Sequence, residues 1–444
     1  MVAKGYTQLE GIDYLDTFFL VPKLTTIRFL LAIASAQNWF LKQLDVNNTF
    51  LYGDLDEEVC MLPPPGCADI ESGKVCRLKK SLYGLKQASK QWFAKLSSHL
   101  KASGFSQSAY DHSLFVKIFE TNITVLLVYV DDIILAGNHL SNIEQITQSL
   151  DDTFKVKNLG NLKYFLGLEI ARSSEGIHVS QRKYALDILA DSGLLASKAC
   201  ATLITKDTKG LFEGGVPLKD ITPYQRLIGR LLYLTNTRPD IGYVAQFLSQ
   251  FIQSPTKEHL ATANRVLRYI KAAPGQGLFF PSNSTLQIKG FCDSDWATCP
   301  NTHRSTIGLC VFLGSSLKSW KSKKQSTISR SSSKVEYRAF ATLTCDIQWL
   351  KYLFDELQIK LKESVVVYCD NQSTRHIALN PISHERTKHI EIDCYVVREK
   401  VQDKLYQFLP ITSTHQAVDV FTKALDPGIF KSVVSKLGLL DIHS

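Results

Sequence analysis

The 444-residue sequence has no Cys-x-x-Cys pair among its ten cysteines, no internal repeat and no low-complexity tract. Without closely spaced cysteines, a zinc ribbon and a thioredoxin-like redox motif drop out. The longest apolar runs, near residues 125–130, fall well short of the ~20 residues that cross a bilayer. The opening MVAKGYTQLEGIDYLDTF carries charges where a secretory leader needs an apolar stretch. A strong charge imbalance is missing too: 51 Lys and Arg against 42 Asp and Glu leave +9. That is too little for a histone-like tail, yet compatible with a nucleic-acid partner. The expectation is a reduced, soluble, intracellular protein without a membrane partner, its cysteines serving as small core residues. What is present is ordinary globular composition, 45% hydrophobic and 21% charged, at a length that suits two or three domains.

Three regions follow from the patterning. Up to about residue 170, helix-period segments (24–37 and 85–103, the latter stopped by Gly104) mix with apolar strand-like runs at Ile123–Val130 and Ile133–Ala136. From 171 to 284 the pattern is mainly helical, as in Tyr224–Asn236 and Lys257–Ala273. Its Arg226, Arg230, Arg265, Arg268 and Lys271 suit either a nucleic-acid groove or a solvated helix face. From 285 strands and helices alternate: strands at Leu286–Cys292, Gly308–Leu313, Val365–Cys369 and Leu405–Leu409, helices at Lys334–Leu357, Thr387–Gln402 and His415–Ala424. Such alternation predicts an α/β layer domain.

The chemistry lies in acidic residues set among apolar elements. In VLLVYVDDIILAG (125–137), Asp131 and Asp132 sit between two strand-like runs. Burying two like charges together is costly, and a divalent cation resolves the conflict; a simple turn is the other reading. Asp45, in Leu44-Asp45-Val46 after an apolar helix, is expected to join Asp132 in bridging two metal ions for in-line phosphoryl transfer, with Asp131 beside them. The C-terminal region repeats the logic. Asp293 (GFCDSDW), Glu336 (KVEYRAF), Asp370 (VVVYCDN) and Asp419 (HQAVDVF) each lie at or near the end of an apolar element, the makings of a second two-metal hydrolytic centre. Individually they have plainer readings: Asp295 and Asp419 as helix caps, Glu336 as a solvated helix residue. The tract KSWKSKKQSTISRSSSK (318–334) has no acid; Lys318, Lys321, Lys323 and Lys324 are expected to meet backbone phosphates, the alternative being a solubilising loop. His376, His384 and His389 fit no zinc spacing.

Long segments resemble the Pol polyprotein of copia-type LTR retrotransposons. VAKGYTQLEGIDY (2–14), QLDVNNTFLYGDL (43–55), LKKSLYGLKQASKQWF (78–93), LLVYVDDIILAG (126–137) and LGNLKYFLGLEI (159–170) resemble its reverse transcriptase. YQRLIGRLLYLTNTRPDI (224–241) is similar to its connecting segment. CDSDWA (292–297), RSTIGLCVFLG (304–314), SWKSKKQSTISRSS (319–332), VYCDNQS (367–373), NPISHERTKHIEID (380–393) and HQAVDVFTKAL (415–425) resemble its ribonuclease H. The resemblance implies an α/β (α+β) architecture: a reverse transcriptase part at 1–170, thumb and connection at 171–284, a ribonuclease H-like domain at 285–426 and a tail at 427–444.

It also implies roles. Asp45, Asp131 and Asp132 would be polymerase metal ligands, and Asp293, Glu336, Asp370 and Asp419 those of the ribonuclease H, each centre with two Mg²⁺ ions (or Mn²⁺). Phe50 matches the aromatic steric gate, although a core aromatic is the simpler reading from the residue alone. Gln87, otherwise a surface helix residue, would lie beside the nucleotide and template. Phe165-Leu166-Gly167 resembles the primer grip, Arg386 and Lys388 are substrate contacts or surface charges, and His415 would assist near the metals. The partners implied are an RNA template, a DNA primer, deoxynucleoside triphosphates and an RNA–DNA hybrid.

Departures from the family pattern bear on activity. The chain opens inside the VAKG motif, without the fingers cations that clamp a triphosphate, so the expectation is weak polymerase activity beside an intact nuclease. Phe19, Leu20 and Pro22 replace the usual Ser/Ala-Pro-Val-Ala pattern, Thr49 the usual alanine beside the gate, and Lys334 an acidic residue. A degenerate remnant that only binds nucleic acid is the alternative.

Overall fold

A computed structural model describes residues 2–17, 21–64, 74–205, 209–212, 214–361, 363–379 and 391–443. Phe19, Leu20, His384, His389, Arg386 and Lys388 lie outside the described residues. The chain divides into two compact units, Met1–Leu30 with Gln37–Lys163, and Leu31–Ala36 with Tyr164–Ser444. No described helix is long and apolar enough to cross a membrane.

The first unit contains α1 (Leu24–Ala36, shared with the second), β1 (Phe40–Val46), β2 (Cys60–Met61), β3 (Cys76–Arg77), α2 (Ala88–Ala102), β4 (Ser106–Gln107), β5 (Leu114–Phe119), β6 (Asn122–Tyr129), β7 (Asp132–Gly137), α3 (Leu140–Phe154) and β8 (Val156–Asn161). Six strands make an antiparallel sheet in the order β4-β5-β6-β7-β1-β8. The continuous apolar run of β6 is buried from Val125 to Val128, as a strand covered on both faces requires. Leu44, Leu126, Ile133 and Leu135 from the sheet pack with Trp92, Leu96 and Leu100 from α2 and Ile143, Leu150 and Phe154 from α3. Trp92 lies at the centre, edge-on to Phe154 with ring centroids 5.2 Å apart.

The second unit begins with β9 (Tyr164–Phe165), β10 (Leu168–Arg172) and β11 (Gly176–Ser180), then α4 (Arg182–Asp191), α5 (Thr222–Leu234), α6 (Gly242–Ser249) and α7 (Lys257–Ala272), and β12 (Gly277–Pro281). It continues with β13 (Ile288–Asp295), β14 (Thr306–Leu313), β15 (Ser316–Lys324), α8 (Ser332–Glu356), β16 (Val365–Cys369), α9 (Gln372–Leu379), α10 (Glu391–Gln402), β17 (Tyr406–Pro410), α11 (Asp419–Thr422), α12 (Pro427–Ser435) and β18 (Leu439–Leu440). One sheet runs β18-β12-β11-β10-β9, the other β15-β14-β13-β16-β17. In the latter β13, β16 and β17 are parallel, while β14 and β15 are antiparallel. The fold is therefore mixed α/β, as expected. The last helix differs: in place of one helix over 415–424 there is a 3₁₀ turn at Ser413–His415 and the one-turn α11. The segment expected as a tail forms α12 and β18, and β18 pairs with β12.

Two local devices hold the second unit. Arg238 and Asp240, both fully buried, pair at 2.8 Å, and the Tyr269 hydroxyl donates to the same carboxylate at 2.8 Å. Between β9 and β10 the turn residues Leu166 and Gly167 both have positive φ, +50° and +77°, the backbone of a tight two-residue hairpin. The Tyr233 hydroxyl donates to the Leu166 carbonyl at 2.9 Å, and a Cβ on Gly167 would lie 2.6 Å from that hydroxyl oxygen. Gly167→Ala is expected to destabilise the protein by about 1–2 kcal/mol in chemical denaturation; an unchanged midpoint would show the turn to be unstrained.

Candidate functional site

In the first unit, β6 turns into β7 through Val130 and Asp131. Val130 has φ +53°, and its carbonyl accepts the Trp92 indole N–H at 2.7 Å. The Val46 N–H donates to the Asp131 carbonyl at 2.9 Å, fastening the turn to β1. Asp45 and Asp132 are then direct cross-strand partners, so their side chains leave the sheet on one face. Burial raises the Asp132 pKa above the usual carboxylate range. The Gln43 amide, 3.4 Å from it, partly opposes this, and the charges of Asp131 and Asp45 add to it. Three hard oxygen donors without an ion-pair partner among the described residues suit a divalent cation.

Phe50 sits in the 3₁₀ turn Thr49–Tyr52 directly after β1, half-buried, its ring 4.5 Å from that of Tyr83. Thr49 is fully buried and its hydroxyl donates to the Val46 carbonyl at 2.8 Å. The side chain that replaces the family's alanine is thus turned into the backbone. Gln87 is no surface helix residue: it is fully buried ahead of α2, accepting from the Gln8 amide at 3.1 Å and donating to the Asp13 carbonyl at 3.3 Å.

In the second unit, parallel β13 and β16 present their carboxyl ends at the same sheet edge, the usual ligand side of such a layer. Asp293 lies on β13, Asp370 one residue beyond β16, Glu336 in the first turns of α8 and Asp419 at the start of α11. Burial pushes the Glu336 carboxyl up to about 7; a hydrogen bond from Asn371 opposes this, and Asp293 and Asp370 add to it. Asp419 is raised to about 6 by burial, with Lys423 opposing and Asp293 reinforcing. Asp370 is raised by burial and by Asp293, against a hydrogen bond from Gln416. Asp295, on β13 opposite Thr306 rather than capping a helix, is raised to about 6 by burial; Lys423 pulls it down, while Asp293 and Asp419 add to the rise.

Lys423 is the residue missed from sequence. Its ammonium is 2.9 Å from Asp419 and 3.8 Å from Asp293. Burial alone would lower its pKa, but these carboxylates more than offset that and raise it. The Thr422 hydroxyl donates to Asp293 at 3.0 Å. A lysine one turn after Asp419 in DVFTK was the available signal, obscured because Asp293 lies far away in the chain.

Three observations fit a divalent cation at this edge. The donors are carboxylate oxygens, an ammonium already stands in as counter-cation, and the fully buried Gln416 keeps an unpartnered amide oxygen. A thiol joins the group, since Glu336, Cys369 and Asp370 each bring a ligand atom within 4.8 Å of the others'. Carboxyls with raised pKa values bind more protons folded than unfolded between about pH 4.5 and 7. The cation-free protein is therefore expected to lose stability as pH rises through that window. Saturating Mg²⁺ (about a hundred times its Kd) should restore roughly 2.7 kcal/mol near pH 8 and less near pH 5.5, where protons compete. Thermal melts with and without Mg²⁺ check this; stabilisation that grows on acidification would contradict it.

The remaining expected contacts are scattered. Phe165 is buried beside the Leu166-Gly167 turn. On edge strand β15, Lys323 is exposed, Lys321 bridges Asp346 at 2.9 Å, and Lys324 donates to Gln250 at 2.8 Å. Lys318 corrects the phosphate-contact expectation: it is fully buried, its ammonium 3.9 Å from the centroid of the Phe280 ring. Arg226 and Arg230 pair with Asp191, Arg265 donates to the Thr202 carbonyl and Lys271 to the Ser197 carbonyl, so four of the five middle-region cations are engaged internally. The exposed His415 is held by the hydroxyls of Thr412 and Thr414, and His376 is exposed on α9.

Residues 1–206 match the family model described as reverse transcriptase (RNA-dependent DNA polymerase). The retrovirus-related Pol polyprotein from transposon RE1 of Arabidopsis thaliana is 41% identical over 440 residues, 99% of this chain and 30% of that protein. The chain thus spans under a third of that relative's length. An uncharacterized mitochondrial protein of the same plant is 41% identical over 225 residues, 50% of this chain and 93% of that protein. Among solved structures, a foamy viral protease–reverse transcriptase in complex with double-stranded DNA aligns with 91% of this chain and 61% of its own at 13% identity, TM-score 0.44.

Proposed function

Since the chain belongs to the copia-type retrotransposon Pol family, we propose that it carries two phosphoryl-transfer centres, one for RNA-directed DNA synthesis and one for cleaving RNA in an RNA–DNA hybrid. The observation that carries the second is the convergence of Asp293, Glu336, Asp370 and Asp419, with Lys423, on one sheet edge. For the first it is the cross-strand pair Asp45 and Asp132 beside Asp131.

Mg²⁺, or Mn²⁺, bound by such carboxylates supplies an activated attacking oxygen and charge for the leaving one. The protein's own part is placement. In the nuclease centre Glu336, Asp370, Asp293 and Asp419 would hold the ions at the scissile phosphate, with Lys423 paired to Asp419 and Asp293. In the polymerase centre Asp45, Asp131 and Asp132 would hold the ions that receive the incoming triphosphate and the primer 3′-hydroxyl, and Phe50 would exclude a ribose 2′-hydroxyl. The partners are an RNA template, a DNA primer, deoxynucleoside triphosphates and the resulting hybrid. With Mg²⁺, the purified chain should cut only the RNA strand of a labelled hybrid; equal cutting of both strands, or none, overturns the nuclease reading. Primer extension on RNA that persists in Asp132→Asn overturns the polymerase reading.

A further inference from the structure

We propose that Cys369, Glu336 and Asp370 form a site for a thiophilic divalent cation such as Zn²⁺ or Cd²⁺, sharing two carboxylates with the nuclease centre but adding a thiolate. One ligand atom from each of the three lies within 4.8 Å of the other two. Cys369 closes β16 and is buried, Asp370 follows it, and Glu336 comes from α8. Behind them Cys292, on neighbouring strand β13, shares a hydrogen bond with the Cys369 thiol. An independent observation points to a cation here. Gln416 is fully buried, and its amide nitrogen donates to the Cys292 carbonyl at 3.2 Å and hydrogen-bonds Asp370. Its amide oxygen, buried beside these anions, has no donor.

Mg²⁺ prefers oxygen donors in an octahedron, whereas Zn²⁺ and Cd²⁺ favour sulfur and accept a tetrahedron. Bond lengths of about 2.0–2.3 Å set donor atoms roughly 3.5 Å apart, within reach through side-chain adjustments of about 1 Å. The ion binds the deprotonated forms of its ligands, so binding releases protons to the buffer. An ion held there withholds Glu336 and Asp370 from Mg²⁺. That inhibitory consequence rests on the nuclease reading, whereas the binding itself does not.

The test uses the full chain with Cys60, Cys67, Cys76 and Cys345 replaced by Ser, titrated with CdCl₂ alone. The ultraviolet thiolate-to-Cd²⁺ charge-transfer band should saturate at one equivalent, with excess Mg²⁺ competing. Cys369→Ser should erase the band, and Glu336→Gln should weaken Cd²⁺ binding about tenfold or more. An unchanged band in Cys369→Ser, or unchanged affinity in Glu336→Gln, overturns the proposal. If Cys369→Ser does not fold, as its circular dichroism would reveal, Glu336→Gln decides. Absence of hybrid cleavage by the four-serine parent in Mg²⁺ alone, together with a saturable Cd²⁺ band in that protein, would sink the nuclease reading and leave this site standing.

Discussion

Asp370→Asn is expected to lower hybrid cleavage by at least about a hundredfold while leaving hybrid affinity nearly unchanged. The substitution keeps the side chain's size and removes a carboxylate that faces Asp293 and Glu336. Even partners outside the ligand shell of a metal site cost 10–100-fold when removed, so a ligand should cost no less. Binding draws mainly on phosphate contacts, and removing a negative charge does not weaken these. The Glu336 carboxyl, held up to about 7 in part by Asp370, should titrate lower in the variant. Gel-resolved cleavage, fluorescence anisotropy and NMR titration of Glu336 read the three effects. Cleavage within tenfold of the parent would remove Asp370 from the centre, and a parallel loss of binding would mark it as structural.

Trp92→Ala is expected to destabilise the protein by about 3–5 kcal/mol, the range for deleting a fully buried aromatic. Its ring is 1% exposed and packs against Phe154 and Tyr52. Its N–H is also the donor to the Val130 carbonyl in the turn that carries Asp131 and Asp132. Trp92→Phe retains most of the packing and leaves that carbonyl unpaired, for about 1–2 kcal/mol. Urea denaturation of both variants separates the terms. Equal losses would make the hydrogen bond the main contribution, and a loss below 1 kcal/mol for alanine would show the cluster to be plastic.

Legibility in the sequence followed the distance between interacting residues. The Asp131–Asp132 pair stood out because two acids between apolar runs are anomalous within a dozen residues, and β6 and β7 fall within two residues of the expected bounds. Strand β13 runs on to Asp295 because its ladder with β14 continues to Thr306, which local patterning does not reveal. Lys318 was misread by composition: a lysine in a basic tract is ordinarily solvated, yet this one is covered by β12 through Phe280. The surface-helix alternative for Gln87 falls because its partners Gln8 and Asp13 lie some 75 residues upstream.

By itself, the sequence determined the α/β class, the family and many of the elements, and it singled out the carboxylates proposed for both centres, because periodicity and motif wording are local properties of the chain. The tertiary structure alone decided which carboxylates face one another, that Lys423 is their counter-ion and that Cys369 lies among them. Those outcomes depend on sheet order and strand direction. Parallel β13 and β16 bring Asp293 and Asp370 to one edge, and α11 delivers Asp419 and Lys423 there from more than a hundred residues away.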